Sequence, residues 1–200
     1  MTMLTAAQTD VLSELMNIGV GRASATLNSM VGHHIQLHVP YVTLIQKEFL
    51  RDYLPYPPES LISGVNMAFE GTFEGSAALL FPQEAASVLV SSLTDEPQDS
   101  LEMGELKSGT LTEIGNILIN GVMGSIANIL DAGLKYSVPD YMECEMEQLG
   151  LLSGASDATV LLAETSFNID ELKVQGNIIL FFCVSSFDNL LQYIDRELAV

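Results

Sequence analysis

Two stretches of the chain repeat one pattern: Asp10-Val11-Leu12-Ser13-Glu14-Leu15-Met16-Asn17 and Gly109-Thr110-Leu111-Thr112-Glu113-Ile114-Gly115-Asn116. Both hold Glu-x-x-Asn, and a proline follows each Asn at the same distance, Pro40 and Pro139. Glu14, Asn17 and Pro40 fall on Glu113, Asn116 and Pro139 with an offset of 99. Further on the offset is 101: Gly75, Phe81, Leu89 and Leu93 fall on Gly176, Phe182, Leu190 and Ile194. A drift of two residues is what a loop insertion between structural repeats leaves.

Working outward, each half reads as a long helix, an extended segment, a loop, two strands and a closing helix. The first helix opens at Thr5 with Gln8 three residues on, a capping-box pattern. Its apolar stripe is Val11, Leu12, Leu15, Ile18, Ala23, Leu27 and Met30, with Gly32 as the C′ glycine. The second runs from about Leu106 to Leu130, with Leu111, Ile114, Leu118, Ile126 and Leu130 apolar and Gly133 in the matching place. Extended runs Ile35–Val39 and Tyr136–Val138 end at the prolines. Met67–Phe81 and Thr159–Val184 read as hairpin strands, with Gly71-Thr-Phe-Glu-Gly75 as a bend. Tyr53–Glu59 reads as a loop and Asp95–Ser100 as the linker. Halves this small bury little surface alone. The expectation is one α/β domain over residues 1–200, built from repeats at approximately 4–95 and 103–196.

The polar residues of the two helices line up. At about 100° per residue, Asp10, Glu14, Asn17 and Gly21 fall within roughly 60° of one line. Glu113, Asn116 and Asn120 take the comparable stripe, with Gly109 where the first helix has Asp10. Arg22 lies about 120° around from Asp10, so neither ridge carries a cation of its own. Gly19, Gly21, Gly115, Gly121 and Gly124 each weaken a helix by about 1 kcal/mol relative to Ala, and close approach of another backbone is the usual reason.

Composition narrows the partners. Twenty-six acidic residues against 7 Lys and Arg give a formal charge of −19. Seven scattered cations cannot form the basic footprint that nucleic acid requires, nor one for anionic lipid. With 48% apolar residues the chain has material for a core. The longest apolar run, Ile178–Val184, suits a buried strand and is too short to span a membrane. The N-terminal residues lack the features of a signal peptide, and Cys144 and Cys183 have no metal or redox spacing, so the cytoplasm is the expected compartment.

Other chemistries find little support. His34 and His38 would share one strand face near His33, yet no Cys or acidic residue completes a metal-ligand set. There is no Gly-x-Ser-x-Gly elbow and no Gly-x-Gly-x-x-Gly between a strand and a helix. The nine Met residues read as core filler.

Asp10-x3-Glu14-x2-Asn17-x22-Pro40 resembles the signature of the CheC/CheX/FliY family of chemotaxis phosphatases, Asp or Ser-x3-Glu-x2-Asn-x22-Pro. Gly109-x3-Glu113-x2-Asn116-x22-Pro139 matches all but its first position. Leu15-Met-Asn-Ile-Gly-Val-Gly-Arg-Ala and Glu113-Ile-Gly-Asn-Ile-Leu also resemble the family's helices. Two signatures and no added switch domain look most like the CheC branch. The resemblance implies a pseudo-two-fold α/β duplication, its two long helices packed on one face of a shared β-sheet. It also implies hydrolysis of the aspartyl phosphate of a CheY-like receiver in chemotaxis or two-component signalling. Asn17 and Asn116 would orient the attacking water, while Glu14 and Glu113 would pair with the receiver's Lys, with Asp10 in support. Mg²⁺ would be bound by the partner, so the chain needs no cofactor of its own. The alternative it implies is a non-catalytic module binding the receiver or a CheD-like protein.

Overall fold

The computed structural model describes residues 4–31, 34–39, 41–54, 56–98, 103–151, 159–169, 172–182 and 184–198. Gly32, His33, Pro40, Cys183 and the end of the Asp95–Ser100 linker lie outside the described residues.

Helix α1 (Ala6–Val31) begins as its sequence requires. Thr5 N–H donates to Gln8 Oε1 at 2.9 Å and Gln8 N–H donates to Thr5 Oγ1 at 3.2 Å, so two orphan donors are satisfied reciprocally. Leu12, Leu15, Ala23 and Leu27 are buried along its inner stripe. Met30 was expected there too but stands 55% exposed, since the last turn runs past the core. Helix α4 (Met103–Ile129) starts before the expected Leu106 and buries Leu111, Ile114, Leu118 and Ile126, with Leu130 just beyond it. Its end departs from expectation. The left-handed residue is Asp131, at φ 48°, and Ala132 N–H donates to the Ala127 carbonyl at 2.8 Å in a Schellman closure. Gly133 instead meets the bend at Thr72, which bonds both its backbone groups.

The extended segments follow the same plan in both halves. After α1 come β1 (Ile35–His38), β2 (Val42–Gln46), a 3₁₀ turn over Lys47–Phe49, the single turn α2 (Leu50–Tyr53), β3 (Leu61–Gly71), β4 (Gly75–Pro82) and α3 (Gln83–Thr94). After α4 come β5 (Leu134–Tyr136), β6 (Asp140–Glu145), a 3₁₀ segment over Met146–Leu151, β7 (Thr159–Ile169), β8 (Leu172–Phe182) and α5 (Val184–Leu198). The eight strands of the described residues form one antiparallel sheet.

The short strands cross between halves. β1 and β2 pair with β7 of the other half, Ile35 opposite Ile169 and Val42 opposite Ala163. In the reciprocal arrangement β5 and β6 pair with β3, Phe69 opposite Tyr136 and Val65 opposite Tyr141. The long hairpins meet at the centre through β4 and β8, where Leu79 faces Ile178. Each half of the chain thus extends the sheet with short strands laid on the long hairpin of the other.

Alternation along β4 and β8 separates two cores. Ala77, Leu79, Phe81, Ile178, Leu180 and Phe182 point to the face covered by α1, α3, α4 and α5. Ala78, Leu80, Ile179 and Phe181 point to the other face, against Leu50, Leu54 and Met146. Burial on both faces explains the unbroken apolar run at Ile178, and each such side chain contributes about 1.5–3 kcal/mol. Among the described residues no helix is long and apolar enough to cross a membrane.

α1 and α4 cross where both lack a side chain. A Cβ on Gly19 would overlap Val122 Cα and lie 2.7 Å from the Gly121 carbonyl oxygen, and one on Gly121 would lie 2.8 Å from the Gly19 carbonyl oxygen. Backbone contact was the expected reason for these glycines. It does not hold at Gly21 and Gly124, where an added Cβ meets open space. Gly115 packs against the Val65 side chain.

Candidate functional site

The crossing turns one polar line of each long helix away from the sheet. On α1, Asp10 and Glu14 are exposed and Asn17 is half-buried. On α4, Glu113 is exposed and Asn116 and Asn120 are half-buried. Each Glu-x-x-Asn thus presents an outer carboxylate and a recessed amide about one turn apart. The helix start needs nothing from Asp10, because Thr5 and Gln8 already cap it.

The two amides have different surroundings. Asn17 Nδ2 donates to the Ser13 and Val39 carbonyls, both at 3.0 Å, and Val39 N–H donates to Asn17 Oδ1 at 3.1 Å. This residue fastens the extended segment just before Pro40. Ser24 Oγ donates to the Ile35 carbonyl at 2.5 Å, and Ile35 N–H donates to Asn28 Oδ1 at 2.6 Å, so the same stripe holds the other end of β1. Sequence reasoning missed Ser24 and Asn28. Their signal was available, since they continue the line of Asp10, Glu14, Asn17 and Gly21 at helical spacing.

In α4 the offset of 99 puts Met123 and Ala127 where α1 has Ser24 and Asn28. Asn116 Oδ1 accepts from Asn120 Nδ2 at 2.8 Å. The segment before Pro139 is fastened from β3: Ser137 N–H donates to the Ala68 carbonyl at 2.9 Å and Ala68 N–H donates to Ser137 Oγ at 3.0 Å. Equal Asn-to-Pro spacing therefore does not mean equal bonding.

Charge around the ridges is sparse. Lys107 is buried in α4 and paired with Glu143 of β6, which also accepts from Tyr141 Oη at 2.7 Å. The ammonium beside it, more than any other contact, holds the Glu143 carboxyl below the usual carboxylate range. Burial pushes the Tyr141 phenol upward. His34 and His38 are both exposed on the β1 side, away from these groups.

Known proteins share this fold. CheY-P phosphatase CheC of Bacillus subtilis (strain 168) is 27% identical over 136 residues, 66% of this chain and 65% of that protein. The match thus spans just under two thirds of that relative's length. CheC1 of Halobacterium salinarum is 18% identical over 196 residues, 96% of this chain and 99% of that protein. Thermotoga maritima FliY has the same fold, with a TM-score of 0.79 at 17% identity over 98% of this chain and 99% of that one. The chain is thus similar to proteins of the CheC/CheX/FliY family. No protein-family model matches it. Within and around the family the fold recurs in a chain of the CheX-CheY-BeF3-Mg+2 complex of Borrelia burgdorferi, with a TM-score of 0.54, 18% identity and coverage of 86% and 99%. It recurs as well in the FliM-SpeE complex of H. pylori, with a TM-score of 0.66, 12% identity and coverage of 97% of both chains.

Proposed function

We propose that this chain, a single two-repeat domain, is a phosphatase for the aspartyl phosphate of a CheY-like receiver. Asn17 and Asn116 orient the attacking water; Glu14 and Glu113 dock to the receiver's Lys. The observation that carries the reading is the pair of outward Glu-x-x-Asn ridges on a fold shared with CheC, CheX and FliY relatives. Hydrolysis needs a water in line behind phosphorus and cations to meet the developing charge. An amide can orient water without ionising. Asn17 gives both N–H groups and one oxygen lone pair to its own backbone contacts, so its second lone pair accepts a hydrogen bond from the water. That fixes the water while its own lone pair faces phosphorus. Neither ridge line carries a positive group, so Mg²⁺ and Lys come from the receiver. Asp10, one turn before Glu14, adds a second carboxylate toward the same partner. The site of action is the cytoplasm, where such receivers reside.

A second reading is favoured by one observation, the shared fold of FliM in its complex with SpeE. It makes the chain a non-catalytic module for a receiver or a CheD-like protein. One measurement separates the two: loss of phosphate from a CheY-like receiver charged with acetyl phosphate, followed with and without this chain. Acceleration is expected. Binding without acceleration supports the second reading and excludes the first.

A further inference from the structure

The charged residues of the two long helices are few: Asp10, Glu14 and Arg22 in α1, and Glu105, Lys107 and Glu113 in α4. Lys107 is buried against Glu143, which leaves Arg22 as the exposed cation of these two helices among the described residues. Beyond the crossing at Gly19 and Gly121, Arg22 leans over α4. Its Nη1 donates to Ser125 Oγ at 3.2 Å. With Thr26, Asn116 and Asn120 it lines a surface groove of about 370 Å³. A residue of the first repeat's helix thus completes the surroundings of the second repeat's ridge.

We propose that Arg22 is a docking residue of the second ridge, where its guanidinium takes a carboxylate of the receiver. The proposal rests on the reading above for the partner's identity. Three points carry it. Ser125 is a neutral acceptor, so it holds the guanidinium in place without cancelling its charge and uses one of five N–H donors. Ser125 also lies nine residues beyond Asn116, about 13 Å along the helix and half a turn around it, so the guanidinium borders the groove with Asn116 and Asn120 without standing at the reacting position. The position equivalent to Arg22 in α4 is Gly121, so α4 returns no cation to the first ridge. The two ridges share Glu and Asn; apart from Asp10, whose counterpart is Gly109, this is the charge in which they differ.

The test isolates each ridge. Asn17→Ala leaves only the second ridge able to hydrolyse, and Asn116→Ala only the first; Glu14→Lys replaces Asn17→Ala if the latter does not fold. Arg22→Ala and Arg22→Lys are then added to each, and turnover of the acetyl-phosphate-charged receiver is measured beside binding of its beryllofluoride form. With the second ridge alone, Arg22→Ala should raise KM and Kd about three- to tenfold with kcat unchanged, and Arg22→Lys should recover part of the loss. With the first ridge alone, neither constant should move. No effect in either background, an equal effect in both, or a change confined to kcat overturns the proposal; an equal effect would mean that Arg22 only ties α1 to α4 through Ser125. If the otherwise wild-type chain binds the receiver without hydrolysing it, the phosphatase reading fails and Kd alone decides Arg22. If it neither binds nor hydrolyses, both fail together.

Discussion

Asn17 holds both backbone groups of Val39, donating to its carbonyl at 3.0 Å and accepting from its N–H at 3.1 Å. Val39 is 1% exposed, so water cannot replace either bond. Asn116, its counterpart in the other repeat, accepts from Asn120 at the half-buried helix surface. One residue type at one spacing is therefore a structural clamp in the first repeat and a surface amide in the second.

Stability should separate the two. Asn17→Ala leaves a buried N–H and carbonyl unpaired and is expected to cost about 1–3 kcal/mol, while Asn116→Ala stays within about 1 kcal/mol. Urea midpoints of the two single variants measure the difference. Equal midpoints would mean that the Val39 clamp contributes nothing to folding.

Activity should not follow that order. The double variant Asn17→Ala, Asn116→Ala is expected to abolish accelerated phosphate loss while still binding the beryllofluoride form of the receiver. Both proteins are to be compared well below their unfolding midpoints. Residual acceleration in the folded double variant rules out the water-orienting role.

The carboxylates should act at the docking step. Glu14→Ala with Glu113→Ala is expected to raise KM for the charged receiver and change kcat less, as loss of uniform binding does. A fall in kcat at unchanged KM would place the Glu residues in the chemistry instead.

Two glycines two residues apart should respond in opposite directions. Gly19→Ala drives a methyl into the backbone of α4 and is expected to destabilise by about 1–3 kcal/mol. Gly21→Ala meets open space and is expected to stabilise by about 0.5–1 kcal/mol. Thermal unfolding of both variants checks the sign of each.

Acid should expose the Lys107–Glu143 pair. The folded Glu143 carboxyl lies below its ordinary value of 4.5, chiefly because Lys107 stands beside it. Its contribution to stability is therefore complete above about pH 4.5 and is lost as pH falls through the lower, folded value. Glu143→Gln should cost about 1 kcal/mol at pH 7, a modest figure because the carboxylate is half-exposed, and much less at pH 3. Denaturation midpoints at both pH values give the two gaps. A gap that stays constant would remove the ion pair from the account.

Much of this was legible in the sequence, because the signals are local. A 3.6-residue rhythm marks α1 and α4, the Thr5–Gln8 cap fixes a helix start, and two apolar hairpins follow from alternation and Gly-containing bends. The ridges come from the same rhythm: Glu14 with Asn17 and Glu113 with Asn116 must share a face on any α-helix. Helix ends were read less well, since Asp131 took the left-handed position expected of Gly133.

What the sequence determined by itself is the repeat, the order of elements and the outward line of carboxylate and amide. Tertiary structure alone decided that β1 and β2 join β7 while β5 and β6 join β3, that Asn17 clamps Val39, and that Arg22 bonds Ser125 and lines a groove with Asn116 and Asn120. The physical reason is a degeneracy. Two similar repeats offer each strand two similar partners, within its own half and across, and periodicity is the same for both. Packing breaks the tie, because reciprocal exchange pairs β4 with β8 at the centre, buries both faces of these strands and lets α1 and α4 cross at Gly19 and Gly121. Only after that crossing exists does an arginine about 120° off its own polar line come to share a groove with Asn116 and Asn120 of the other helix.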